Sequence, residues 1–233
     1  MLLNSEVWHS LTKSQINDLE TIDRILMRQT LNAHSKTGIE WLYADTGKLN
    51  LKSHIQMRRL MYAWHILSRD ESELIHRIYK TQKTENSVGD LVRILEADKM
   101  ELGIDMTDAE IQGVSHDAFK TYVQKKVKIN FLKYINNLKK SHSKSEKLHC
   151  TEVRMAEYLK TPKLNTRKKE LLFKLRSKTF DVKQNFKNMN KDPWCISCGL
   201  FQETQGHLLQ CPELVKFFHY LRGKTSELHI WHY

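Results

Sequence analysis

Apolar residues recur along most of this chain at three- and four-residue spacing, the period of an amphipathic helix. The first stripe runs through Ile16, Leu19, Ile22, Ile25 and Leu26 within residues 12–34, and Thr12 with Gln15 makes a capping box at its start. A short helix follows from Thr37, with Glu40 at the reciprocal capping position and Gly47 placed to end it. Leu51, Ile55, Leu60, Met61, Trp64 and Leu67 predict the buried stripe of a third helix, and Leu74, Ile75, Ile78 and Tyr79 that of a fourth. Ser87 with Asp90 opens a fifth through Leu91, Val92 and Leu95, Gly103 closes it, and Thr107 with Glu110 marks another short one. Ser115 caps a long helix whose apolar face is Phe119, Val123, Val127, Leu132, Ile135 and Leu138. A short helix near 151–160 stops before Pro162, and residues 166–180 form one more, with Leu171, Leu172 and Leu175 inward. Leu214, Phe217, Phe218 and Leu221 predict a closing helix after Pro212.

Composition agrees with this reading. The 233 residues suffice for one large domain or two to three small ones, and 40% hydrophobic content excludes a disordered chain. Only 8 Gly and 3 Pro argue against a loop-rich all-β fold, so the fold class is mainly α. No apolar run approaches the ~20 residues of a membrane span, and residues 1–4 are too short for a signal-peptide core. The expected setting is intracellular, nucleus or cytoplasm, with no membrane partner.

Charge divides the chain. Residues 84–114 hold eight acidic and two basic side chains and predict a spacer facing away from nucleic acid. Residues 115–191 hold 21 Lys and Arg against six Asp and Glu, within a chain of net charge +11. Such a concentration favours a polyanionic partner, nucleic acid above all, because Lys and Arg neutralise phosphates and release counterions. The candidates on the long helix are Lys125, Lys126, Lys128, Lys139 and Lys140. Arg167, Lys168, Lys169, Lys174 and Arg176 continue the set, followed by Lys178, Lys183 and Lys187. Phe186 and Trp194, interleaved with lysines, supply rings on which bases can stack. The competing reading of these lysines is a solvated face. Residues 141–147 (SHSKSEK) are polar and uncapped, a linker. These shifts divide the chain into 1–83, 84–147 and 148–233.

Three of the four cysteines fall close together, in the pattern C-x2-C-x8-H-x3-C formed by Cys195, Cys198, His207 and Cys211. Three thiolates and an imidazole suit tetrahedral Zn2+, and four protein ligands make the site structural rather than catalytic. Gly199 gives the backbone room to wrap an ion after the first pair. Cys150 stands apart as an ordinary thiol. This usage fits a reducing compartment better than a disulfide framework.

The stretch CISCGLFQETQGHLLQCPEL resembles the C-terminal zinc-binding segment of non-LTR (LINE-like) retrotransposon reverse transcriptases, through CxxCG, Glu203 with Thr204, His207–Leu208–Leu209 and Cys211–Pro212. Where that family has Glu before the His, this chain has Gly206, which leaves the ligand set intact. The lead-in through Phe173, Arg176, Phe180 and Phe186 is similar too. So is the stretch from Leu3 to Leu51, with RRLMYAWHIL after it, which looks like the helical thumb that follows the polymerase palm. The two resemblances cover about residues 1–83 and 150–215.

The resemblance implies a helical thumb-like region and a basic helical connector followed by a small CCHC zinc module. It also implies a role in holding template RNA or target DNA during target-primed reverse transcription. Tyr43–Ala44–Asp45–Thr46 is similar to a polymerase active-site turn but lacks the second carboxylate, so Asp45 reads as structural. There is no palm carboxylate set, no phosphate-binding glycine loop and no endonuclease cluster, so this chain alone is not expected to polymerise. If it is a fragment, the missing palm of a longer parent is a partner. A zinc-stapled protein-interaction module is the alternative, and a nuclease using Asp192, Glu203 and Glu213 a more distant one.

Overall fold

The computed structural model describes residues 11–35, 37–85, 90–140, 148, 150–180, 182–183 and 192–216, without the side chains of Lys139 and Lys140. The helices bounded within them are α1 (Lys13–Thr30), α2 (Ile39–Thr46), α3 (Leu51–Leu67), α4 (Leu74–Glu85), α5 (Leu91–Leu102), α6 (Asp108–Gly113), α7 (His116–Lys140), α8 (Glu157–Lys160), α9 (Thr166–Arg176) and α10 (Gln205–Gln210), and residues 212–216 are helical as well. The fold is mainly α, as the periodicity requires, and a single antiparallel bridge between Trp194 and Gln202 is the β-structure among the described residues. No described helix is long and apolar enough to cross a membrane.

Many helix ends follow from local chemistry. Thr12 caps α1 with the full box to Gln15, and Thr107 caps α6 with the full box to Glu110. The Asn50 side chain accepts the Ser53 N–H at the start of α3. Gly47 ends α2 at φ 63°, and a Cβ there would meet the Arg154 carbonyl carbon and the Met155 nitrogen at 2.2 Å. Both the left-handed conformation and the close approach require glycine. Other ends differ from expectation. The N-cap of α2 is Gly38 rather than Thr37, with no side-chain cap. Helix α9 stops at Arg176, with Ser177 as C-cap and Lys178 left-handed at φ 54°. Only Glu157–Lys160 of the 151–160 stretch is helical. Ser87, the 141–147 linker, Phe186, Lys187 and the Phe217, Phe218 and Leu221 part of the closing helix lie outside the described residues.

The chain forms two units, one of residues 1–32 with 38–164, the other of residues 33–37 with 165–233. In the first, α3 is central, with α1, α4, α5, α6 and α7 packed around it. One hydrophobic cluster runs from Leu60, Ala63, Ile66 and Leu67 through Tyr79, Val92, Leu95, Leu102, Ile104 and Ile111 to Phe119, Val123 and Val127. Two expectations change here. Residues 1–83 do not close a core of their own, because α3 uses α5 and α7 as partners. The acidic stretch 84–114 is no spacer either: α5 and α6 supply four residues of that cluster, and Ile104 between them a fifth. The buried carboxylate of Asp98 there accepts from Arg59 at 3.3 Å and Gln56 at 3.1 Å. Burial raises Asp98 above the ordinary carboxylate range, against the opposing pull of Arg59 and Gln56.

Several stripes also face differently. On α7 the buried positions are Phe119, Val123, Val127, Phe131 and Ile135, so Phe131 holds the place expected of Leu132. On α1, Glu20 and Met27 are buried while Ile22, Ile25 and Leu26 are exposed. The Glu20 carboxylate turns inward because it accepts from Arg24 at 2.6 Å and from the Lys52 N–H at 3.3 Å. On α4 the inward residues are His76 and Tyr79, with Leu74 and Ile78 exposed. On α9 it is Phe173 that is fully buried, while Leu171 is exposed. Asp45 is buried and accepts from the Tyr158 hydroxyl at 2.7 Å.

Candidate metal centre

The second unit gathers Cys195, Cys198, His207 and Cys211, whose ligand atoms all lie within 4.8 Å of one another. Each arrives by a local device. The Trp194–Gln202 bridge and the Cys195 N–H donating to the Phe201 carbonyl at 2.7 Å close a short hairpin that presents Cys195. The chain then turns through Cys198, and Gly199, at φ 67°, donates its N–H back to the Cys195 carbonyl at 2.8 Å. Thr204 caps α10 by accepting the His207 N–H at 2.9 Å, which orients the first turn and its imidazole. Cys211 stands at the C-cap of α10 and is fully buried. The Phe201 ring packs on His207 at 5.3 Å between centroids.

Distances decide whether this is a ligand set or a chance cluster. With Zn–S of about 2.3 Å and Zn–N of about 2.0–2.1 Å, a tetrahedron places two sulfurs about 3.8 Å apart and sulfur about 3.5 Å from nitrogen. Here Cys195 Sγ lies 3.9 Å from Cys211 Sγ, and Cys198 Sγ lies 3.3 Å from His207 Nε2. These two separations match a tetrahedral metal ion, and the four donors together could hold one.

The electrostatics point the same way. Burial raises the Cys195 thiol, but the Cys198 and Ser197 N–H groups and the His207 and Cys198 side chains outweigh it, and the group falls to about 6. At Cys211 the Leu214 N–H lowers the thiol, yet desolvation and the Cys198 and Cys195 thiols prevail and raise it. A lowered Cys195 thiol beside a raised Cys211 thiol is a field that a bound cation relieves.

The role of Glu203 is not written in the sequence. Its buried carboxylate accepts the Lys183 N–H at 3.1 Å and the Ile196 N–H at 3.3 Å. The spacing of Thr204 to His207 carried a capping signal, but nothing in the sequence announced the partners of Glu203. The other nearby carboxylates are engaged as well, Asp192 accepting from the Trp194 N–H at 3.1 Å and Glu213 pairing with Lys216 at 2.9 Å.

The proposed phosphate contacts separate into two groups, each within its own unit. On α7, Lys125 and Lys128 are exposed. Lys126 is not a free cation: its ammonium donates to the Gly103 carbonyl at the end of α5 and lies 5.5 Å from the Tyr122 ring centroid. The side chains of Lys139 and Lys140 lie outside the described residues. In the second unit Arg167, Lys168 and Arg176 are exposed, while Lys169, Lys174 and Lys178 are half-buried. Lys183 donates to the Trp194 carbonyl at 2.6 Å, and Trp194 itself is 48% exposed. Comparison with protein-family models, with curated proteins and with solved structures returned no match.

Proposed function

We propose that this chain is a zinc-stabilised nucleic-acid-binding protein, built like the C-terminal portion of a non-LTR retrotransposon reverse transcriptase. The observation that carries it is the convergence of Cys195, Cys198, His207 and Cys211 at the spacings of a tetrahedral site, in the half of the chain that holds the positive charge. Three thiolates favour Zn2+ over hard cations, and a filled ligand set makes the ion structural. Exposed Lys125 and Lys128 on α7 and exposed Arg167 and Lys168 on α9 are available to phosphates, and Arg176 is exposed on the same helix. Contacts of this kind hold a backbone without reading bases, which suits grip on template RNA or target DNA. The chain contributes no polymerase chemistry in this reading; Asp45 serves the fold through Tyr158.

The test is binding to single-stranded RNA and to duplex DNA across a salt series, with zinc content measured alongside. Affinity should fall with a log–log slope of about −0.9 per phosphate contacted on duplex and about −0.7 on single strands. The double variant Lys125→Ala with Lys128→Ala should flatten the slope and weaken all sequences alike. Lys126 is left intact because its loss would also remove the cap on α5.

A second reading has its own observation. Ile196 is 84% exposed and Leu200 68%, with Phe201 and Leu209 also exposed on the same module. Apolar side chains displayed around a zinc staple suit a protein partner. Salt-insensitive binding, or none, would favour that reading over the first.

A further inference from the structure

Glu203 stands between the metal loop and the basic segment after α9, and it is bonded to both. One carboxylate oxygen accepts the N–H of Ile196, inside the turn from Cys195 to Cys198. The other accepts the N–H of Lys183. The Glu203 N–H donates to the Pro193 carbonyl at 2.8 Å, and the Lys183 ammonium returns to the Trp194 carbonyl, the residue before the first ligand. The next two residues extend the connection. Thr204 caps the helix that carries His207, and the Gln205 side-chain amide donates to the Leu175 carbonyl in the last turn of α9. Glu203 and Gln205 thus fasten the ligand loop to the chain between Leu175 and Lys183, and Thr204 between them caps its helix.

The energetics make this connection two-way. A buried carboxylate is stable only while its hydrogen-bond donors are in place, and each lost charge-assisted bond is costly. The Ile196 N–H is held at Glu203 by the turn that the metal closes. Without the ion, the four donors lose their common partner and the turn has no staple. Glu203 then loses one of its two donors, and its hold on the Lys183 N–H weakens with the turn that positioned it. The geometry points to Glu203 as a positioning residue that transmits metal occupancy to the segment carrying Lys178 and Lys183, so that the ordering of this basic stretch depends on the bound ion. This rests on the metal reading given above and adds what the ion controls.

Full-length protein is loaded with zinc, then stripped with a chelator, and amide hydrogen exchange is followed in both states. The Ile196 and Lys183 amides should be protected with zinc and exchange at least about tenfold faster without it, while amides of α7 keep their rates. Glu203→Ala should lower zinc affinity about tenfold or more and leave the Lys183 amide unprotected even at saturating zinc. Glu203→Gln, which keeps the length and one acceptor oxygen, should recover part of both. Where the alanine variant fails to fold, the glutamine variant and the wild-type comparison still decide. A wild-type chain that takes up zinc with no change at Lys183 overturns the coupling, as does an alanine variant with unchanged zinc affinity and unchanged Lys183 protection. Wild-type protein that takes up no zinc at all overturns the metal reading, and the coupling with it.

Discussion

Single residues here divide into those whose role is set by near neighbours and those set by distant ones. Cys198 belongs to the first kind. Its sulfur lies 3.3 Å from His207 Nε2, so Cys198→Ser removes one of four donors. Zinc content should drop, and limited proteolysis should cut after Asp192, because structural zinc energy is folding energy. The clustering of Cys195, Cys198, His207 and Cys211 was legible in the sequence because it rests on short-range spacing. Asp98 belongs to the second kind. Nothing local marks it, yet it meets Arg59 from 39 residues away, with both side chains under a tenth exposed. Asp98→Ala should cost about 3–5 kcal/mol in urea unfolding, since it strands a buried guanidinium. Replacing the pair together, Arg59→Met with Asp98→Leu, should cost much less, and a double-mutant cycle measures the difference.

Among elements, α1 and α7 show what periodicity does and does not convey. Both helices were legible, with their caps at Thr12 and Ser115, because a helix start is written within four residues. The inward face of α1 was not. Its apolar stripe and its Glu20 lie on different sides, and the choice fell to Glu20 because the Lys52 N–H and the Arg24 guanidinium offered it partners. A hydrophobic pattern names a face; only the neighbouring helix decides whether that face is used. Ile25→Lys should therefore change stability by less than about 0.5 kcal/mol, since Ile25 is exposed. Phe119→Ala on α7 should cost about 3–5 kcal/mol, since Phe119 is fully buried in the main cluster. Thermal unfolding of the two variants beside wild type separates the outcomes.

At the scale of the whole molecule, the sign of the charge proved a poor guide to boundaries. The acidic stretch and the lysine-rich helix differ most in composition, yet they pack together on α3 because their apolar faces do. A fragment of residues 1–83 should accordingly show no cooperative unfolding transition, whereas residues 1–164 should unfold cooperatively in denaturant. A cooperative transition in the shorter fragment would show that α3 is satisfied without α5 and α7.

The contact of Asp45 with Tyr158 joins positions 113 residues apart, next to the place where Gly47 meets Arg154 and Met155. Closing a loop of that length costs roughly 4 kcal/mol of chain entropy, so this seam is expected to form after the helices have assembled. Interactions absent from the folding transition state govern how long the native state lasts rather than how quickly it is reached. Asp45→Ala removes the acceptor of the Tyr158 hydroxyl, a loss of about 1.5–3 kcal/mol for a bond to a charged group. In stopped-flow experiments the variant should refold at nearly the wild-type rate and unfold roughly ten- to a hundredfold faster. Slowed refolding with unchanged unfolding would place the seam early. The small, fully enclosed carboxylate of Asp45 is thus a latch on the lifetime of the fold.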